Sequence, residues 1–144
     1  MSPSEREIRA LLNAYCERLD AGDFDGVAEL FGDGVFRSPR GTNLAGADAV
    51  RSQYDAVIRY DDGTPRTKHV LGTVVVEIDE GAGTAVSRCA FTVFQAVDGA
   101  PLQPVLSGRY HDQFERVDSA WCWRERFVYP DLEGDLARHM QIRR

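Results

Sequence analysis

The order of elements predicts an α+β fold, in which a curved antiparallel sheet packs on three N-terminal helices. Three observations predict it. Residues up to about 60 place apolar side chains at helical spacing. Residues 66–128 instead carry four long runs rich in β-branched and aromatic residues. Turns of two to five residues join those runs, which is hairpin spacing. Helices first and strands afterwards is the α+β arrangement. A chain of 144 residues is one domain with a sizeable core, so residues 1–144 are read as a single unit.

The first helix is expected over residues 3–21. Ser2 or Ser4 caps it, Glu5 and Glu7 suit its first turn, and Ile8, Leu11, Leu12, Tyr15 and Leu19 make one apolar stripe. Asp20 flanks that stripe in the last turn, where an acid opposes the helix dipole. Such a misfit can mark function, although Asp20 equally begins the turn Asp-Ala-Gly-Asp. Asp23 caps a second helix, FDGVAELF, which ends at Gly32 and Gly34. GVFRSP reads as a short strand stopped by Pro39, and residues 39–46 as loop. A third helix runs from Gly46 or Ala47 to Tyr60, with Val50, Tyr54, Val57 and Ile58 on one side.

After the break DDGTP come the strands Arg66–Asp79, Thr84–Val97, Leu102–Val117 and Trp121–Val128. Pro104 points to an edge or a bulge near the start of the third. The tail, PDLEGDLARHMQIRR, forms a short helix or wraps the sheet, with its last residues mobile. The run RTKHVLGTVVVEID matters most. Alternation puts His69 on the face that carries Leu71 and Val75, and Val70, Val74, Val76 and Ile78 on the other. A histidine on a half-apolar sheet face suits proton chemistry near neutral pH, though a structural role is the commoner fate of one strand histidine. Three short helices cannot fill a twisted sheet everywhere, so a cone-shaped hollow is expected, lined by aromatics such as Phe91, Tyr110 and Trp123.

Composition bounds the function. A net charge of −6 disfavours nucleic acid and anionic membrane surfaces, which select basic patches. No apolar run approaches the ~20 residues of a membrane span, and MSPSEREIRA lacks a secretory signal. Cys16, Cys89 and Cys122 show no paired spacing, so a reduced, cytoplasmic chain is expected. No phosphate-loop or metal-ligand spacing occurs, and neither cofactor nor metal is expected. His139 lies in a polar tail and is expected in solvent. His111 has opposite parity to Tyr110, Asp112 and Phe114, and is expected to face away from the hollow.

Three stretches carry a family resemblance. IRALLNAYCERLDAGDFDGVAELFGDGVF resembles the opening of SnoaL-like domains, of the nuclear transport factor 2-like superfamily. GRYHDQFERVDSAWCWRER resembles their closing hairpin, and EGDLARHM a further segment of members. The resemblance implies a cone-shaped α+β barrel. It leaves activity open, since the superfamily holds dehydratases, isomerases, cyclases, epoxide hydrolases and binding domains. The pattern is most similar to the scytalone dehydratase and bile-acid dehydratase branch. That branch uses a tyrosine and an aspartate near the first helix and a histidine opening a long strand. Tyr15, Asp20 and His69 match.

By that resemblance His69 is base and then acid, Asp20 holds its tautomer, and Tyr15 donates to a carbonyl or enolate oxygen. Tyr54, Phe91, Tyr110, Asp112, Trp123 and Arg126 are the expected substrate contacts, with Arg124 the alternative to Arg126. The implied function is a cofactor-independent lyase or isomerase. Its substrate is a small, apolar, oxygenated ring compound of polyketide or steroid-like kind. The alternative is a non-catalytic small-molecule-binding or oligomerisation module. Either way a homo-oligomer, dimer or trimer, is expected through the open aromatic sheet face.

Overall fold

Helices dominate the first third of the chain and strands the rest, as expected, in a computed structural model that describes residues 1–141. The mobility expected of the last tail residues concerns positions outside that range. Helix α1 spans Pro3–Asp20. Ser2 caps it by accepting from the Glu5 amide at 3.1 Å, and Ile8, Leu12, Tyr15, Cys16 and Leu19 form its buried face. Helix α2, Phe24–Phe31, starts at Asp23, whose carboxylate accepts from the Gly26 amide at 2.9 Å. Helix α3 is shorter than its expected span to Tyr60. It covers Ala47–Ser52 and tightens into a 3-10 turn over Gln53–Ala56. Val57 then pairs with Met140, and the Ile58 amide donates to the His139 carbonyl at 2.8 Å. Tertiary pairing of two β-branched residues overrides the helical pattern there. No described helix is long and apolar enough to cross a membrane.

The strands are β1 (Val35–Arg37), β2 (Asn43–Ala45), β3 (Thr67–Asp79), β4 (Thr84–Gln95), β5 (Gln103–Val117) and β6 (Ala120–Glu133). They form one sheet in the order β2-β1-β6-β5-β4-β3. Two details depart from expectation. Residues 39–46 were expected as loop, yet β2 pairs antiparallel with β1 there. Strand β1 also runs parallel to β6, so the curved sheet is mixed and does not close.

Irregularities in this sheet decide which side chains enter the cone. Between Gly72 and Val75 the register of β3 slips by one residue, with Thr73 at φ 53°. A bulge reverses the alternation beyond it. Thr67, His69 and Leu71 therefore point inward before it, and Val74, Val76 and Ile78 after it. The expected common face of His69 and Val75 does not exist, and Val70 is exposed rather than packed. A second slip opposite Phe114 leaves Arg124 unpaired, which turns Arg126 inward and Arg124 out. A third lies between Pro104 and Leu106, where Pro104 lacks the amide the ladder needs.

Strand β6 continues past Val128 because a fourth slip accommodates Pro130. Arg109 pairs with Tyr129 and Ser107 with Leu132. Gly108 lies opposite that slip, where a Cβ would stand 1.9 Å from the Tyr129 carbonyl oxygen and 2.9 Å from the Phe91 ring. Gly108→Ala is expected to cost roughly 3 kcal/mol through this overpacking, read as a lower urea midpoint.

Candidate active site

Helix α1 and strand β3 meet where Asp20 ends the helix and Thr67 opens the strand. The Asp20 carboxylate reaches across and organises the strand. Its Oδ2 accepts from the His69 amide at 2.8 Å, and its Oδ1 accepts from Thr67 Oγ1 at 2.9 Å. Oδ1 also lies 2.6 Å from His69 Nδ1. A carboxylate already accepting from two donors takes the third as acceptor too, so Nδ1 carries the imidazole proton. The two side chains are only 5% and 14% exposed, which strengthens so short a charge-assisted contact. Asp20 thus does more than begin a turn. Nε2 of His69 is the nitrogen left over, and it has no protein partner among the described residues.

His69 lines a cavity of about 140 Å³ between the sheet and the helices. Tyr15, Tyr54, Phe91 and Tyr110 line it too. The Tyr54 hydroxyl donates to the Tyr15 hydroxyl at 3.3 Å. Burial raises the pKa of Tyr15, against a lowering pull from Arg126, and puts Tyr54 and Tyr110 well above the usual phenol value. All three hydroxyls therefore keep their protons at neutral pH and can donate. Burial also pushes Cys16 up to about 12 and Cys89 to about 11, so both stay thiols. On the far side of Asp20 an outer groove of about 600 Å³, lined by Glu17, Arg66, Lys68 and Leu102, faces solvent. The histidine–aspartate pair is the wall between groove and cavity.

Three expected substrate contacts fall elsewhere, which corrects the sequence reading. Asp112, Trp123 and Arg126 form a layer behind the cavity wall. Arg126 is fully buried and grips Asp112 through Nε at 2.8 Å and Nη2 at 3.0 Å. Trp123 Nε1 adds a bond to Asp112 at 3.1 Å. The guanidinium carbon lies 3.6 Å from the Tyr110 ring centroid, 4.2 Å from Tyr15 and 4.6 Å from Trp123. Burial pulls the Arg126 pKa down, but Asp112 more than restores it, and the guanidinium stays charged. Ring faces take the place of a partner for its Nη1, which has no hydrogen bond. The ion pair thus braces Tyr15 and Tyr110 from behind. His111 lies exposed on the outer face, with its ring against Tyr129.

His139 was expected in solvent and is instead 7% exposed, lining the cavity beside Met140. The tail is stitched over the cone's mouth. The Gln141 amide donates to the Ala56 carbonyl at 2.8 Å, Gln95 Nε2 donates to the Arg138 carbonyl at 3.0 Å, and the Tyr60 hydroxyl donates to the same carbonyl. Leu136, His139 and Met140 follow the spacing of one helical turn, the signal that could have placed them together. Gln53, also missed, lines the same cavity.

Burial, followed by nearby His69, brings the His139 pKa down from 6.5 to about 4, with Asp20 pulling the other way. The unfolded chain therefore takes this proton first. Stability is complete above pH 6.5 and is expected to fall by on the order of 3 kcal/mol as pH drops toward 4. Urea melts across that range check this, and His139→Phe should flatten the slope.

Comparisons with known proteins agree with this architecture. The family described as SnoaL-like domain matches residues 1–126. No curated protein sequence matches the chain. Among solved structures, a Mycobacterium tuberculosis protein of unknown function is 26% identical with a TM-score of 0.74, over 89% of this chain and 76% of that one. An NTF2-like protein with a cystatin-like fold from Novosphingobium aromaticivorans is 24% identical with a TM-score of 0.73, over 93% and 85%. A protein of the same organism, provisionally named a scytalone dehydratase, is 19% identical with a TM-score of 0.74, over 97% and 89%. At that identity the likeness is one of fold.

Proposed function

The chain belongs to the SnoaL-like domain family, and on that footing we propose that it is a cofactor-independent lyase or isomerase acting on a small oxygenated ring compound. One observation carries the proposal. His69 has its Nδ1–H held by Asp20 at 2.6 Å, which leaves Nε2 free beside a cavity that Tyr15, Tyr54 and Tyr110 also line. That is the arrangement of a base with a fixed tautomer beside an oxyanion site.

In a dehydration, Nε2 takes the acidic proton next to a ring carbonyl. Tyr15, whose hydroxyl accepts from Tyr54, stabilises the enolate oxygen as a donor, and Asp20 stabilises the imidazolium. The C–O bond to the neighbouring hydroxyl then breaks with the enolate's electron pair, and the proton on Nε2 leaves with it as water. Protonation at a different carbon gives an isomerase from the same groups. A cavity of about 140 Å³ suits a single ring rather than a steroid nucleus. The apolar wall of Phe91, Val93 and Leu106 favours such a ring.

Turnover of cyclic β-hydroxyketones by the protein and by His69→Ala tests the proposal. The variant is expected to lose about 10² to 10⁴ in rate while keeping its fold. Equal turnover by a folded variant would return the chain to the binding-module alternative.

A further inference from the structure

The cavity holds more polarity than acid–base chemistry at His69 uses. Gln53 Nε2 and His139 Nδ1 are both sealed from solvent, and neither makes a hydrogen bond of good geometry, although Gln53 lies near enough to the Tyr54 hydroxyl to pull its pKa down. Both residues line the same cavity as His69, one from the 3-10 turn and the other from the tail that pairs with the residues just after it. Gln53 opens the 3-10 turn that also supplies Tyr54. His139 comes from the tail closing the mouth, with its backbone carbonyl fixed by the Ile58 amide at 2.8 Å. Buried polar atoms are normally satisfied, so two such atoms on side chains that line one hollow point to a missing partner. Their neighbours there are apolar, among them Phe36, Val57 and Met140.

We infer that Gln53 and His139 form a second polar station of the cavity, which holds a second oxygen of the bound ring. The inference takes the cavity as the ligand site of the preceding proposal and narrows the ligand class. The ring carries two oxygen functions, one presented to His69 and the tyrosine hydroxyls, the other to Gln53 and His139. The Gln53 amide can offer nitrogen or oxygen, and a neutral imidazole offers one donor and one acceptor. A hydroxyl or a carbonyl oxygen therefore satisfies the station, while a ring with a single oxygen leaves one station unpaired. Sites built on hydrogen bonds reject ligands that lack the matching group. His139 acts here in binding and positioning, and no proton transfer is assigned to it.

The test is a binding comparison with phenol, catechol, resorcinol and hydroquinone as probes, followed by calorimetry on the full chain. At least one dihydroxybenzene is expected to bind tenfold or more tightly than phenol. That ratio is expected to fall below twofold in Gln53→Met and in His139→Phe. A wild-type ratio near one for all three probes, or a ratio that survives either substitution, overturns the inference. Melting curves establish folding first. Should His139→Phe fail to fold, Gln53→Met decides alone, because it changes neither the tail nor its backbone bonds. Turnover is not part of the readout. A protein that shows the tenfold ratio but no His69-dependent turnover keeps the second station and loses the lyase proposal, and the converse result does the opposite.

Discussion

Asp20→Asn is expected to lower turnover by about 10² to 10⁴ while leaving the fold in place. The asparagine fills the same space, and its oxygen can still accept from the His69 amide, a bond of 2.8 Å in the native protein. Its nitrogen then lies against His69 Nδ1, in the place of the oxygen that accepts there now. An amide nitrogen donates, so Nδ1 must accept and the ring proton moves to Nε2. The imidazole would then present N–H to the cavity instead of a lone pair, the wrong form for a base. Steady-state rates on the same β-hydroxyketone measure the loss, and nitrogen-15 spectra of His69 report the change of tautomer directly. A full-rate Asp20→Asn protein with the altered tautomer would remove His69 as the base.

The second large effect lies behind the site. Asp112→Asn leaves the Arg126 guanidinium charged, fully buried and without a counter-charge. Breaking such a pair from one side costs roughly 4 kcal/mol, because the remaining charge has lost its compensation. Three ring faces around Arg126 soften the loss but cannot replace a carboxylate that makes two bonds to it. Urea denaturation measures the cost. The Asp112→Leu, Arg126→Met double variant removes both charges at similar volume and is expected to recover most of it. A single variant as stable as the wild type would show that the aromatic faces alone hold the charge.

Much of this architecture is legible in the chain itself. The apolar stripe of α1 and the turn residues between the long runs predict helices followed by a meander. Tyr15, Asp20 and His69 are also legible, as a pattern. The structure brings the three to one corner, with Asp20 behind His69 and Tyr15 on the cavity. What escapes the sequence depends on register and on contacts between distant segments. Two arginines two residues apart in β6 look interchangeable until the slip at Arg124 sends one inward. Arg126 and Asp112, plausible ligand groups in a list of residues, are occupied by one another. His139 reads as a surface residue because its neighbours in the chain are polar. Its burial comes from Val57, Ile58 and Met140, a pairing that joins residues some eighty positions apart. Gln53 is hidden for the same reason, in a turn the helical pattern runs straight through.

The slip at Thr73 has a further meaning for how this strand can vary. Strand β3 is written in two phases, one that aims an imidazole at the hollow and one that aims a row of aliphatic side chains at the helices. A deletion that smoothed the ribbon would have to forfeit one of the two, since no single phase keeps both inside. The awkward left-handed residue is the hyphen between a chemical half and a packing half, and each half is free to change its side chains without re-aiming the other.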